Sequence, residues 1–80
     1  MISLFASTYP NITEPIRDLI GDRALNLHRT TKACNYDTDS IEDAVSLFRE
    51  SEFFWAFCAE HPGRVYIYRY FDGGGAQIVG

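Results

Sequence analysis

No stretch of the chain is long and apolar enough to cross a bilayer: the longest uncharged apolar run, Phe53 to Ala59, falls far short of the roughly 20 residues a spanning helix needs. Basic residues are in the minority, seven against eleven carboxylates, and the net charge is −4. That balance argues against non-specific attachment to nucleic acid or to anionic membrane, both of which need a net attraction for polyanions. Cysteine is scarce, and Cys34 and Cys58 could form at most one bridge. Met1 leads straight into ISLFAS with no basic start, so no secretory leader is expected, and reduced thiols in a cytoplasmic protein are the expectation. Internal repeats, low-complexity tracts and linkers are missing as well.

What remains is an 80-residue chain of 46% hydrophobic content, expected to form one compact domain over residues 1–80. The segment from Asp37 to Gly63, DTDSIEDAVSLFRESEFFWAFCAEHPG, is the one stretch long and periodic enough for a helix on which strands can pack. Ser40 with Asp43, overlapped by Asp39 with Glu42, offers two registers of N-cap followed by an acid in the first turn. On a helical wheel Ile41, Ala44, Val45, Phe48, Trp55 and Ala59 form a core-facing stripe flanked by Leu47, Phe54 and Cys58. Glu42, Asp43, Ser46, Arg49, Glu50 and Glu60 lie opposite, but Phe53 and Phe57 project onto this polar side too. Either the helix is continuous and shows aromatics to water, or it breaks near Ser51, which then caps a second short helix; the break is preferred. His61 before Pro62, with Gly63 beyond, marks the stop.

Around this segment lie β-like runs. Residues 2–7 suit a first strand. Thr13 as N-cap, Pro15 in the first turn, and Ile12, Ile16, Leu19 and Ile20 at helical spacing predict a short helix closed by Gly21. Asp22 to Thr31 reads as a second strand, which Lys32 to Tyr36 extends or pairs. Arg64 to Phe71 is the most β-like run, with Val65, Ile67, Arg69 and Phe71 on one face and Tyr66, Tyr68 and Tyr70 on the other. Asp72 and the glycines after it suit a hairpin turn, and Ala76 to Val79 returns as a short strand. The order β-α-β-(β)-α-β-β predicts an α+β fold: a small, mainly antiparallel sheet of about four to five short strands packed against two helices.

Candidate chemistry is sparse. Asp37, Asp39 and Glu42 carry oxygen ligands but fail the calcium-loop pattern, because Ile41 and Phe48 stand where ligands are needed and the central glycine is absent. Helix capping accounts for these acids. His28, Cys34, Cys58 and His61 could meet at a zinc ion, but the spacing of the first pair matches no common finger or ribbon. The same residues assemble a Cys/His nucleophile only on paper, with no orienting acid and no oxyanion nest at recognisable spacing. The glycines after Asp72 precede no helix and therefore lack the dipole a phosphate loop exploits. No catalysis, metal or cofactor is expected.

Two surfaces remain. Tyr66, Tyr68 and Tyr70, with Arg64 and Arg69 beside them, could stack unpaired bases as single-strand-binding sheets do, although they do not reproduce the aromatic and glycine pattern of RNA-recognition strands. Cross-strand packing is the plainer reading of the same tyrosines. The charge distribution is more telling: from Asp37 to Glu60 seven carboxylates face one arginine, a net of −6, while the rest of the chain carries four acids and six bases, a net of +2. An acidic helix with aromatics at its margin, Phe53, Phe57 or Trp55, has the makings of an interface for a basic partner.

In size, acidity and lack of a catalytic motif the chain resembles the small acidic single-domain inhibitors of phages and mobile elements, including anti-CRISPR proteins and DNA mimics. The resemblance implies a non-catalytic inhibitor or adaptor acting in the host cytoplasm on the basic surface of a nucleic-acid-binding protein. Asp37, Asp39, Glu42, Asp43, Glu50 and Glu52 would be its electrostatic patch and Phe53 and Phe57 its anchors. A single-strand nucleic-acid module using Arg64, Tyr66, Tyr68, Arg69 and Tyr70 is the alternative, and a small thiol or metal enzyme the second alternative.

Overall fold

A computed structural model of the chain describes residues 1–10, 30–71 and 75–80. The short helix expected to end at Gly21, nearly all of the strand expected over 22–31 and the turn at 72–74 lie outside the described residues.

The fold is α+β. Strands β1 (Ile2–Ser7), β2 (Cys34–Tyr36), β3 (Tyr66–Tyr70) and β4 (Ala76–Ile78) form one antiparallel sheet in the order β2-β1-β3-β4. Helices α1 (Ile41–Arg49) and α2 (Glu52–Glu60) connect β2 to β3. The central pair places Phe5 opposite Tyr68 and Ala6 opposite Ile67. Because side chains alternate along a strand, this register divides β3 as its sequence suggests. Ile67 joins Ile2, Leu4 and Ala6 on the helix side, where Ala44, Val45 and Phe48 of α1 and Phe57 of α2 close over them and Val65 packs alongside. Tyr66, Tyr68 and Tyr70 turn to the other face, with Phe5.

The helical segment does break at Ser51. Ser40 is the N-cap that α1 uses, its hydroxyl accepting from the Asp43 N–H at 3.3 Å, while its own N–H donates to Thr38 Oγ1 at 3.2 Å. Ser51 serves twice: its Oγ donates to the Phe48 carbonyl at the end of α1 and accepts from the Phe54 N–H at the start of α2. One side chain thus satisfies an orphan group of each helix, and the axis changes direction between them. The new phase of α2 reverses several expectations. Trp55 and Ala59, placed in the core stripe by a continuous wheel, are exposed; Phe57, placed on the polar side, is buried. Leu47, expected to flank the core, is half exposed at 50%. At His61 the chain leaves the helical conformation (φ −125°, ψ 78°), as a residue before proline should, and Gly63 takes φ 121°, which only glycine adopts freely.

Two details of the sheet follow from hydrogen-bond accounting. β2 pairs with β1 only as far as Leu4, so the Ala6 N–H beyond it needs another acceptor. Thr31 provides one: its Oγ1 accepts from Ala6 N at 2.9 Å and its N–H donates to the Ala6 carbonyl at 2.8 Å. Just past β4, the N–H groups of Val79 and Gly80 both donate to the Ile67 carbonyl, so that two residues face one, the pattern of a β-bulge.

Replacing Thr31 by the isosteric valine should leave the buried Ala6 N–H unpaired and cost about 1–3 kcal/mol of stability in urea denaturation. A loss indistinguishable from zero would mean that another acceptor serves that N–H.

Candidate functional site

The helical layer turns its charge outward. Asp37 and Asp39 sit in the loop entering α1, Glu42 and Asp43 in its first turn, Glu50 at its C-cap and Glu52 in the first turn of α2. All six side chains are exposed, and none forms an ion pair with another described residue. Those at the helix starts interact favourably with the positive end of a helix dipole, which is reason enough for acids there. Glu50 is different, for it lies where the negative end of α1 meets the positive end of α2.

Among the aromatics expected as anchors, Phe53 is 57% exposed, whereas Phe57 is 7% exposed and belongs to the core with His61 tilted against its ring at 4.5 Å. Phe57 therefore drops out of the partner-facing set. Trp55 replaces it at 68% exposure, the most exposed aromatic ring among the described residues. In α2 it is Phe54 and Phe57 that pack on the core, and Trp55 that turns outward.

On the tyrosine face the central ring is packed away. Tyr68 is 2% exposed, stacked on Phe5 with ring centres 5.2 Å apart and planes 8° from parallel, and its hydroxyl donates to the Tyr9 carbonyl at 2.6 Å. Neither face of that ring is left for a base. Tyr66 and Tyr70 are half-buried beside it. The arginines are otherwise engaged: the Arg64 guanidinium lies 5.0 Å over the Tyr66 ring, and Arg69, on the opposite face of β3, lies 5.0 Å over Phe71. Cross-strand packing is what these tyrosines do.

The thiols show no sign of activation. Cys34 and Cys58 are free and partly buried. Burial pushes the Cys34 thiol up, a hydrogen bond from Tyr36 offsetting part of the shift, and burial likewise pushes Cys58 up. Each therefore carries less thiolate at neutral pH than an ordinary cysteine, the reverse of what a nucleophile needs. Among the described residues no three His, Cys, Asp or Glu side chains are grouped to hold a metal ion; His28 lies outside them. No helix among the described residues is long and apolar enough to cross a membrane.

Compared with protein-family models, with curated proteins and with solved structures, the chain finds no match.

Burial, with a lesser contribution from the Tyr66 phenol, raises the Tyr68 phenol above its ordinary value. A folded value above the unfolded one means that the stability tied to the neutral phenol is complete below the unfolded value and is lost as pH rises through the folded one. Tyr68→Phe should therefore cost about 1 kcal/mol at neutral pH, through the lost bond to Tyr9, and should flatten the decline in stability above about pH 10. Denaturation midpoints measured from pH 7 upward check both. An unchanged alkaline slope would assign that decline to other groups.

Proposed function

We propose that the protein is a non-catalytic binding module, an inhibitor or adaptor that docks its helical layer on a basic protein surface. One observation carries this reading: the outer side of that layer combines six exposed carboxylates, free of ion pairs with other described residues, with the exposed rings of Phe53 and Trp55. Capping accounts for Glu42 and Asp43, and ordinary solvation could account for any single acid. Neither explains large aromatic rings kept in water beside them, since aromatics at the centre of an interface supply binding energy while surrounding charges steer the encounter.

The target class follows from the sign of the charge. A concentrated negative surface presents to a cationic cleft the attraction that a phosphate backbone presents, so the cleft of a nucleic-acid-binding protein is its natural counterpart. Bound there, the domain blocks access of the nucleic acid without any chemistry of its own. This is the mode of action of the small acidic phage and mobile-element inhibitors that the chain resembles, anti-CRISPR proteins and DNA mimics among them, and on this reading the protein acts in the host cytoplasm.

Once a partner is in hand, association should slow as salt shortens the Debye length. Double charge reversal, Glu42→Lys with Glu50→Lys, should lower the association rate about tenfold or more with the fold intact, whereas Phe53→Ala should chiefly speed dissociation. Surface plasmon resonance at several ionic strengths separates the two effects. Kinetics indifferent to both salt and charge reversal would remove the electrostatic basis of the proposal.

A further inference from the structure

The two helices expose very different surfaces. Outward from α1 lie Glu42, Asp43, Ser46 and Arg49, with Leu47 at the margin, a face that is charged and polar. In α2, EFFWAFCAE, only the first and last residues are charged, and such a helix belongs in an interior. Yet only the side bearing Phe54, Phe57 and Cys58 faces the domain. Around the remainder of the wheel come Trp55, Ala59, Glu52, Ala56, Glu60 and Phe53 in that order, all exposed. The face is thus an exposed strip of helix surface: small alanines lie toward its middle, Trp55 and Phe53 at its two sides, and a carboxylate toward each end.

Resting on the protein-binding reading above, we infer that this outward face of α2 is the seat of a basic amphipathic helix of the partner. Charge selects the occupant. A second copy packed through α2 about a two-fold axis would bring like charges together in either sense, Glu52 against Glu60 where the helices run antiparallel and each glutamate against its own counterpart where they run parallel. No basic residue on α2 relieves that repulsion, and the whole segment from Asp37 to Glu60 carries −6. A basic partner gains where a second copy loses. The small alanines let the ridge of another helix approach closely, its apolar side chains beside Trp55 and Phe53. Arginine suits the rim best, because a planar guanidinium can lie on the face of Trp55 while hydrogen-bonding to the carboxylate of Glu52, one turn away on the same helix.

Trp55 is the sole tryptophan of the chain and reports on its own burial. The test titrates the full chain with a synthetic amphipathic helical peptide, leucine and alanine on one face and arginine on the other, and follows Trp55 emission and binding by calorimetry. The expected result is saturable binding with a blue shift of the emission. Ala56→Arg, at an exposed helix position, should weaken that binding tenfold or more with an unchanged circular-dichroism spectrum and unfolding midpoint, and a peptide with glutamate for arginine should not bind. Binding that is lost on Glu42→Lys/Glu50→Lys, but that leaves the Trp55 emission unmoved and ignores Ala56→Arg, would keep the basic-partner reading and overturn the α2 seat. Equal binding of the glutamate peptide would overturn the basic occupant. A blue shift on concentrating the protein alone, with a doubled mass in sedimentation, would assign the face to a second copy. Absence of binding by either readout would overturn the α2 seat, while the protein-binding reading stands or falls on the salt and charge-reversal kinetics given above.

Discussion

Strand β1 is closed on both of its faces, and the remaining elements answer to that constraint. Leu4, Phe5, Ala6 and Ser7 are all fully removed from solvent. A strand buried on one side alternates apolar with polar residues; one buried on both cannot, and the apolar run of Leu4, Phe5 and Ala6 is the result. Leu4 and Ala6 require a cover of α1 and α2 residues, which Ala44, Val45, Phe48 and Phe57 supply. Phe5 requires a partner on the opposite side, and the flat stack with Tyr68 meets that need. The strand that pairs with β1 must therefore be two-faced in its own way, aliphatic toward the helices and aromatic away from them. The tyrosines of β3 answer to this packing requirement before any question of ligand arises.

Much of the architecture was legible because it rests on short-range rules. Strict alternation over Arg64 to Phe71 sorted Val65 and Ile67 from the tyrosines, the proline after His61 set the end of α2, and Ser51 carried the signature of a second cap. What could not be read is the azimuth of α2. A short helix with apolar residues on every side contains no internal preference for which of its phenylalanines turns inward, so Phe57 and Phe53 exchange roles with a modest rotation. Packing against Phe48, with Phe54 tilted on it at 5.5 Å, settles the question, and that contact is tertiary, between two helices, so the α2 sequence alone does not contain it. The exposure of the carboxylates was the safer expectation, since an unpaired charge has strong reason to stay in water. Trp55, weighed at the helix margin beside Phe53 and Phe57, fell outside the expected anchor pair because a continuous wheel from Ser40 places it in the core stripe.

The arrangement separates folding from display. Residues that hold the helices to the sheet, Ala44, Val45, Phe48 and Phe57, are distinct from those that the layer shows outward. Glu42, Glu50, Phe53 and Trp55 bury little within the domain, so their replacement touches few contacts on which the fold depends. The outer surface can change its preferences while the core stays constant, a freedom that a small domain with a single core otherwise has little room for.

The bulge beyond β4 bears on colloidal behaviour. A sheet of this size has two open margins, and a flat margin invites another chain to add a strand and begin a fibre. Among the described residues one margin is β2, three residues long, and the other is β4, also three residues long and followed at once by the step at Val79 and Gly80. Neither offers a long straight template. For a domain that leaves a tryptophan and a phenylalanine in water, the described margins thus give little purchase to the route by which β-rich chains most readily polymerise.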